Sequence, residues 1–218
     1  MSHKYRYAIA IVIPFLAASC GRSQRPTTPE DPFQAIGIAP LPVGALVGSS
    51  VLLLPVGAMV LSDSAAADAD LVARRFALAS VAGASLDSAF RRGAPGVAWL
   101  GLAEQRRALR LAPAMGIDPA RLETDYLLNP RVESLADPLW GQLRTLIALM
   151  SAQMAVAPAG VRLDRRAETY VAEYVLVLVD VRQGKVLGRG RMVGAPAATP
   201  EAALANGAAA TVPPPAIR

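Results

Sequence analysis

The pattern of apolar positions changes along the chain, from short strands and helical stripes in the first two thirds to strand-like runs in the last. Ser50 to Val56, SVLLLPV, is a compact apolar run of the length of a buried strand. Pro55 ends regular pairing there or sits at an edge. The following GAMVLSDSAAADAD reads as a loop. From Asp68 to Arg92 the period lengthens. Val72, Phe76, Ala79, Gly83, Leu86 and Phe90 fall at spacings of four, three, four, three and four, which predicts one apolar stripe on a helix. Ala79 and Gly83 are small enough to let that helix lie close on a sheet, and Arg91, Arg92 and Gly93 give it a basic last turn and a terminating glycine. GVAWLG, 96–101, is a second short strand, and LAEQRRALRLAP is a helix that stops at Pro113. Asp118 with Pro119 forms an N-cap and first-turn proline pair opening a short helix. Asp137 with Pro138 repeats that signal ahead of Leu139, Leu143, Leu146, Ile147, Met150 and Met154, with Trp140 beside the stripe. The methionines and Trp140 read as core packing.

The C-terminal third is strand-like. QMAVAPAGVRLD reads as a strand broken near Pro158. ETYVAEYVLVLVDV is apolar on both faces from Val175 to Val179, the pattern of a central strand. Arg182 to Lys185, RQGK, is a tight turn with Gly184 at a positive φ, and KVLGRGRMVG returns as the partner strand. Together these elements predict an α/β (α+β-like) fold: a single mixed sheet of about four to five strands, flanked by helices and ending in an antiparallel β meander. The α/β domain is expected over 48–195, and an Ala/Pro-rich tail holding at best a short helix over 196–218. Residues 20–47, with five prolines after position 20, read as an extended tether.

The front of the chain gives an address. His3, Lys4 and Arg6 precede an apolar run of about ten residues, Tyr7 to Leu16, too short to span a bilayer but sized for a secretory signal. Ala17, Ala18 and Ser19 then lead to Cys20, the sole cysteine. This resembles the bacterial lipobox, in which cleavage occurs just before a cysteine that carries the lipids. One departure is that Leu16 stands four residues before the cysteine, where the lipobox prefers leucine at three. The resemblance makes 1–19 a lipoprotein signal peptide and Cys20 the lipid attachment site. A lone thiol in an oxidising envelope has no internal disulfide partner, and acylation removes it. Gly21, in place of Asp, favours the outer membrane by resemblance to enterobacterial sorting.

Charge and chemistry narrow the classes further. The formal charge of +5 falls to about +3 once Lys4 and Arg6 leave, too mild to argue for nucleic acid. Arginine outnumbers lysine 20 to 2, which reads as codon bias. The only histidine, His3, lies in the leader, so the mature chain offers no imidazole for triads, general catalysis or most zinc sites. Asp63, Asp68 and Asp70 lack EF-hand spacing and read as helix-start charge. Ser85 lacks the second glycine of a nucleophile elbow. GRGRMVG, 188–194, sits inside a strand and not between a strand and a helix, so it is not a dinucleotide loop. No metal, cofactor or catalytic residue is expected. Arg189 and Arg191 alternate on one strand face with Lys185 offset at the turn, a cationic strip that either meets a partner or solvates an edge.

The element order, with VLLLPV, a long helix, VAWLG, LAEQRRALR and YVLVLVDVRQGKVLGRGRMVG, resembles envelope α/β domains. These are the penicillin-binding-protein activator lipoproteins, the N-terminal domain of the Tol-system translocation protein, and the curli secretion lipoprotein. Asp180 and Gly184 fit the last hairpin of that group, and the insertion between Pro113 and Leu135 departs from it. The resemblance covers about 50–194. It implies a lipid-anchored envelope protein, held by acyl chains on Cys20, that binds another envelope protein without catalysis and without nucleic acid. The machine served would be one of cell-wall synthesis, a Tol-like assembly or secretion. An oligomeric subunit of an outer-membrane transport or secretion complex is the alternative. It would need membrane-inserting hairpins of about 9–11 residues per strand, for which only the short stretch near 57–69 is available.

Overall fold

Two-residue alternation in the last third sets the layers of the protein. The computed structural model describes residues 31–57 and 59–212, so the leader and Cys20 lie outside the described residues. Its elements run β1 (Ser50–Leu53), β2 (Met59–Leu61), α1 (Asp63–Ala66), α2 (Ala69–Gly93), β3 (Ala98–Leu100), α3 (Leu102–Arg110), α4 (Leu139–Met150), β4 (Met154–Arg166), β5 (Thr169–Asp180), β6 (Lys185–Val193) and α5 (Pro200–Ala210). One mixed sheet has the order β3-β1-β4-β5-β6, with β2 also paired to β4. β1 pairs parallel with β3 and β4, whereas β4, β5 and β6 form the antiparallel meander.

Along β5, Ala172, Tyr174, Leu176 and Leu178 point to a core shared with α2 and α5, while Val175, Val177 and Val179 point to a second core under α4. That two-sided burial is why the strand is apolar on both faces and central. β4 runs unbroken through Pro158, contrary to the expected interruption. A bulge between Pro158 and Gly160 absorbs the irregularity. The inserted residue changes parity: Val156 before it and Val161 and Leu163 after it face the same α2/α5 core. Gly184 closes the β5–β6 turn at φ +67°.

Several expected boundaries shift. The stretch expected as a loop after Gly57 contains β2, paired to Val161–Leu163, and α1, whose N-cap Ser62 accepts from the Ala65 amide. α4 ends at Met150 with Ser151 in a left-handed conformation, so Met154 opens β4 and does not extend the helical stripe. Asp118 does cap the turn at Pro119, but the turn is a single 3-10 helix. The outer part of the expected tether is folded: Phe33, Ile36, Leu41, Val43 and Leu46 are all buried. The expected loose tail likewise forms α5, capped by Thr199, with Ala203, Leu204 and Ala208 wholly buried against α2 and β5.

The α2 stripe is also rotated. The face toward the sheet is Leu71, Leu78, Ala79, Ala82, Leu86, Ala89 and Phe90, while Val72 and Phe76 stand outward. Among the described residues no helix is long and apolar enough to cross a membrane.

Candidate functional site

The three basic residues predicted near the last strand divide into two that serve the fold and one that faces solvent. Arg191 lies on β6 opposite Val175, its side chain buried. Its guanidinium pairs with the carboxylate of Glu173, also buried, and donates to the Ile36 carbonyl at 3.3 Å. Glu173 also receives Arg162 from β4, and Arg162 pairs with Asp31 and lies 4.6 Å above the Phe33 ring. Arg189 donates to the backbone carbonyls of Leu127, Asn129 and Val132. Burial lowers its pKa from the ordinary arginine value. Only Lys185 of the three is exposed.

The two arginines therefore hold two coverings onto the sheet: the segment 31–41 through Arg191, and the segment 127–132 through Arg189. Two glycines of GRGRMVG, Gly190 and Gly194, allow close packing on this strand, while Gly188 faces open space. A Cβ on Gly190 would meet the Ala39 carbonyl at 2.9 Å, because the 31–41 segment crosses over it. A Cβ on Gly194 would collide with Gly207 of α5.

The Asp31 carboxyl is pushed up by burial, but hydrogen bonds from Arg162 and from the Phe33 amide outweigh that and hold its pKa below the usual carboxylate range. A depressed carboxylate stabilises the folded state above its unfolded value of about 3.9, and the contribution is lost as pH falls through the lower folded value. The contribution of Asp31 to holding the 31–41 segment is therefore expected to weaken below about pH 4, and Asp31→Asn to show a smaller acid-induced change. Amide exchange at Phe33 and Ile36 across a pH series reads the difference. Equal acid sensitivity of the two proteins would show that Asp31 is not the titrating group.

The acidic and nucleophilic candidates are accounted for locally. Asp68 caps α2 by accepting from the Asp70 and Leu71 amides, and also takes Arg165 at 3.2 Å. Asp70 pairs with Arg74 four residues on. Ser85 lies mid-helix in α2. Among the described residues no group of three metal-ligating side chains converges.

A site that the sequence pattern does not announce opens where β1 ends. Gln105, wholly buried on α3, donates through Nε2 to the Leu53 and Leu100 carbonyls, both at 2.9 Å, and so ties together the ends of β1 and β3. Beyond that clamp the chain turns away through Pro55 and Gly57, leaving a cleft of about 700 Å³. Leu53, Leu54 and Val56 form its floor, α2 forms one wall with Ala79, Gly83 and Asp87, and the start of α3 forms the other. This is the carboxyl end of parallel strands, where open α/β sheets offer ligand sites.

Phe76 stands on the rim, 73% exposed, with Arg75 lying 5.2 Å from its ring. The same phenylalanine, with Gly57 and Ala120, lines a second hollow that continues toward Asp118 and Asp125. On the α2–α3 wall Arg91 pairs with Asp87 Oδ2 at 2.8 Å and Glu104 Oε1 at 3.0 Å. The other oxygens, Asp87 Oδ1 and Glu104 Oε2, are buried without a hydrogen-bond partner among the described residues.

The arrangement is that of a mixed α/β domain presenting an open, apolar groove with a charged wall. No protein-family model matches the chain, and no curated protein does. Among solved structures it is similar to the LpoB C-terminal domain from Salmonella enterica, with 13% identity, 69% of this chain and 84% of that one covered, and a TM-score of 0.36. It is also similar to the LpoB C-terminal domain from Escherichia coli, with 12% identity, 70% and 86% covered, and a TM-score of 0.32.

Proposed function

We propose that this protein is a lipid-anchored component of a bacterial cell envelope that acts without catalysis, as a binding module for another envelope protein. Cell-wall synthesis, a Tol-like assembly and secretion are the machines its element pattern suits. The observation that carries the binding reading is the groove at the end of β1: apolar, open, and rimmed by an exposed phenylalanine. The leader pattern ending in Leu16–Gly21 supports cleavage after Ser19 and lipidation at Cys20, with the outer membrane as the address. The expected tether of 20–47 is reduced by its outer part, because Phe33, Ile36, Leu41, Val43 and Leu46 pack into the domain. A pore-subunit role would draw on residues 57–69, and 59–61 and 63–66 are here β2 and α1 of the domain.

Fractionation of cells carrying Cys20→Ser tests the anchor. The wild type is expected in the membrane fraction and the variant in the soluble envelope fraction, since each acyl CH₂ contributes about 0.8 kcal/mol to membrane binding. A variant that stayed in the membrane with its leader normally removed would sink lipidation at Cys20. Crosslinking in the native envelope tests the adaptor role: one distinct envelope protein is expected, and ladders of self-crosslinks alone would favour the oligomeric subunit.

A further inference from the structure

We propose that the face formed by α3 and the end of α4 lies against the anionic surface of the bilayer that carries the anchor, with Leu111 and Met115 entering the headgroup layer. The proposal rests on the anchored reading above and adds how the domain sits on its membrane. Three observations support it.

The first is charge without partners. Arg106, Arg107 and Arg110 on α3, Arg144 on α4 and Arg182 in the β5–β6 turn are all exposed, and none forms an ion pair among the described residues. Arg106 and Arg110 share a hollow of about 450 Å³, and Arg144 and Arg182 share another of about 540 Å³. The second hollow has no carboxylate in its lining. The first has one, Asp118, which caps the Ala120 amide and pairs with Arg121 at 3.5 Å. The nearest carboxylates along the chain are engaged as well: Glu104 by Arg91, Asp137 by the Gly141 amide and Asp180 by the Gln183 amide. Two guanidinium groups with no carboxylate between them match phosphate oxygens in charge and in fork geometry.

The second is apolar surface in the same place. Leu111, directly after α3, is 85% exposed, and Met115, in the turn that follows, is 49% exposed. At 3.6 residues per turn Arg106, Arg110, Arg107 and Leu111 fall within about 140° of the helix circumference, away from the buried Gln105 and Leu109. A projecting apolar tip beside arginines suits a yielding surface that is anionic above and apolar beneath.

The third is where the anchor joins the domain. The described residues begin at Asp31, and the first side chains buried after it, Phe33 and Ile36, belong to the same core as Leu109 of α3 and Leu143, Leu146 and Ile147 of α4. The tether therefore enters on the α3–α4 side of the sheet. Salt screens the arginines, so this contact orients an anchored domain and does not by itself retain the Cys20→Ser chain in the membrane fraction.

The test uses residues 20–218 with Cys20→Ser, the mature chain without acyl groups, titrated with lipid vesicles at low salt. Vesicles of phosphatidylcholine with about 30% phosphatidylglycerol are expected to bind it at least about tenfold more tightly than phosphatidylcholine alone. Salt at about 0.5 M should remove the difference. The triple substitution Arg106→Gln, Arg107→Gln and Arg110→Gln should abolish most of the preference. Leu111→Ser with Met115→Ser should weaken binding to the anionic vesicles about tenfold. All five positions are exposed, so neither variant should move the melting point. Spin-labelled lipid gives a reading that needs no variant: in the chain with its natural surface, amides of 106–115 and 144–151 should broaden most. Equal binding to both vesicles, no binding, broadening confined to another face, or a preference unchanged in the arginine variant would each overturn the proposal. Capture of an envelope protein by a photo-crosslinker at residue 111 in cells, in place of lipid, would overturn it too. Fractionation of Cys20→Ser cells keeps the two readings apart. A soluble variant that ignores phosphatidylglycerol removes this orientation and leaves the anchor. Selective vesicle binding by a chain that is never acylated keeps the surface and removes the anchor.

Discussion

Replacing Glu173 with alanine is expected to cost the folded state about 3–5 kcal/mol, because it leaves an arginine charge buried and uncompensated. Glu173 stands between Arg162 and Arg191, with its side chain 8% exposed and that of Arg191 9% exposed. Exposed ion pairs contribute little, but here both partners have lost their water. Arg162 retains Asp31, so the larger loss falls on Arg191, whose remaining contact is a 3.3 Å hydrogen bond to the Ile36 carbonyl. The damage should spread along the 31–41 segment, which both arginines hold. Denaturant unfolding should give the loss of free energy, and limited proteolysis should show faster cleavage within 31–47. The double substitution Glu173→Leu with Arg191→Met should recover most of the stability, since apolar replacement of both members of a buried pair removes the charges without stranding one. A single Glu173→Ala variant that lost less than about 1 kcal/mol would mean that water reaches the cluster.

That cluster also shows which features were readable from sequence and which were not. The sheet was legible where one strand carried its own signal: Val175 to Val179 is apolar at every position, and only burial on two faces asks for that. The turn at Gly184 and the helix starting after Pro138 were legible for the same local reason. Arg189 and Arg191 could be placed on one face, but their partners are a carboxylate on the neighbouring strand and backbone carbonyls more than 50 residues away along the chain. No spacing rule carries that information. The α2 stripe misled for a related reason. Ala79, Leu86 and Phe90 belong to both possible stripes, and Val72 with Phe76 completes one while Leu71 with Leu78 completes the other. Helical period permits either. The fold chooses the second because Leu71 and Leu78 meet the sheet, and the residue displaced from the core, Phe76, is the one that marks the groove. The clamp by Gln105 had a faint signal, a polar residue between Leu102 and Leu109 on the inward side of α3. Its role appears only once β1 and β3 end side by side.

The second large effect is expected at the other end of the domain, where the sequence looked least structured. A chain ending at Ala198 should fail to hold a stable fold. The composition of 196–218, rich in alanine and proline, reads as a tail because no long apolar side chain repeats at helical spacing. Alanine and glycine are what close packing requires here. Gly207 lies so near the Tyr174 ring that a Cβ would meet it at 2.7 Å, and Gly194 of the preceding segment is pressed against Gly207. Leu204 and Ala203 are wholly buried, and the Tyr174 hydroxyl donates to the Leu204 carbonyl at 3.0 Å. Burial pushes the Tyr174 pKa well above its ordinary value, so that phenol stays neutral and needs its acceptor. Removing α5 would expose the α2/α5 face of β5 and orphan the phenol together. Leu204→Ala alone should cost about 2–5 kcal/mol. The whole helix adds further alanines and the hydrogen bond, which brings the loss to the scale of an entire domain's stability, about 5–15 kcal/mol. Circular dichroism melting and amide NMR dispersion should show the truncated chain without a cooperative transition, and Leu204→Ala folded but less stable. Gly207→Val offers the finer discrimination: overpacking against Tyr174 should cost about 1–3 kcal/mol. If α5 were only a loosely attached tail, both the truncation and Gly207→Val would leave the melting transition where it is in the wild type.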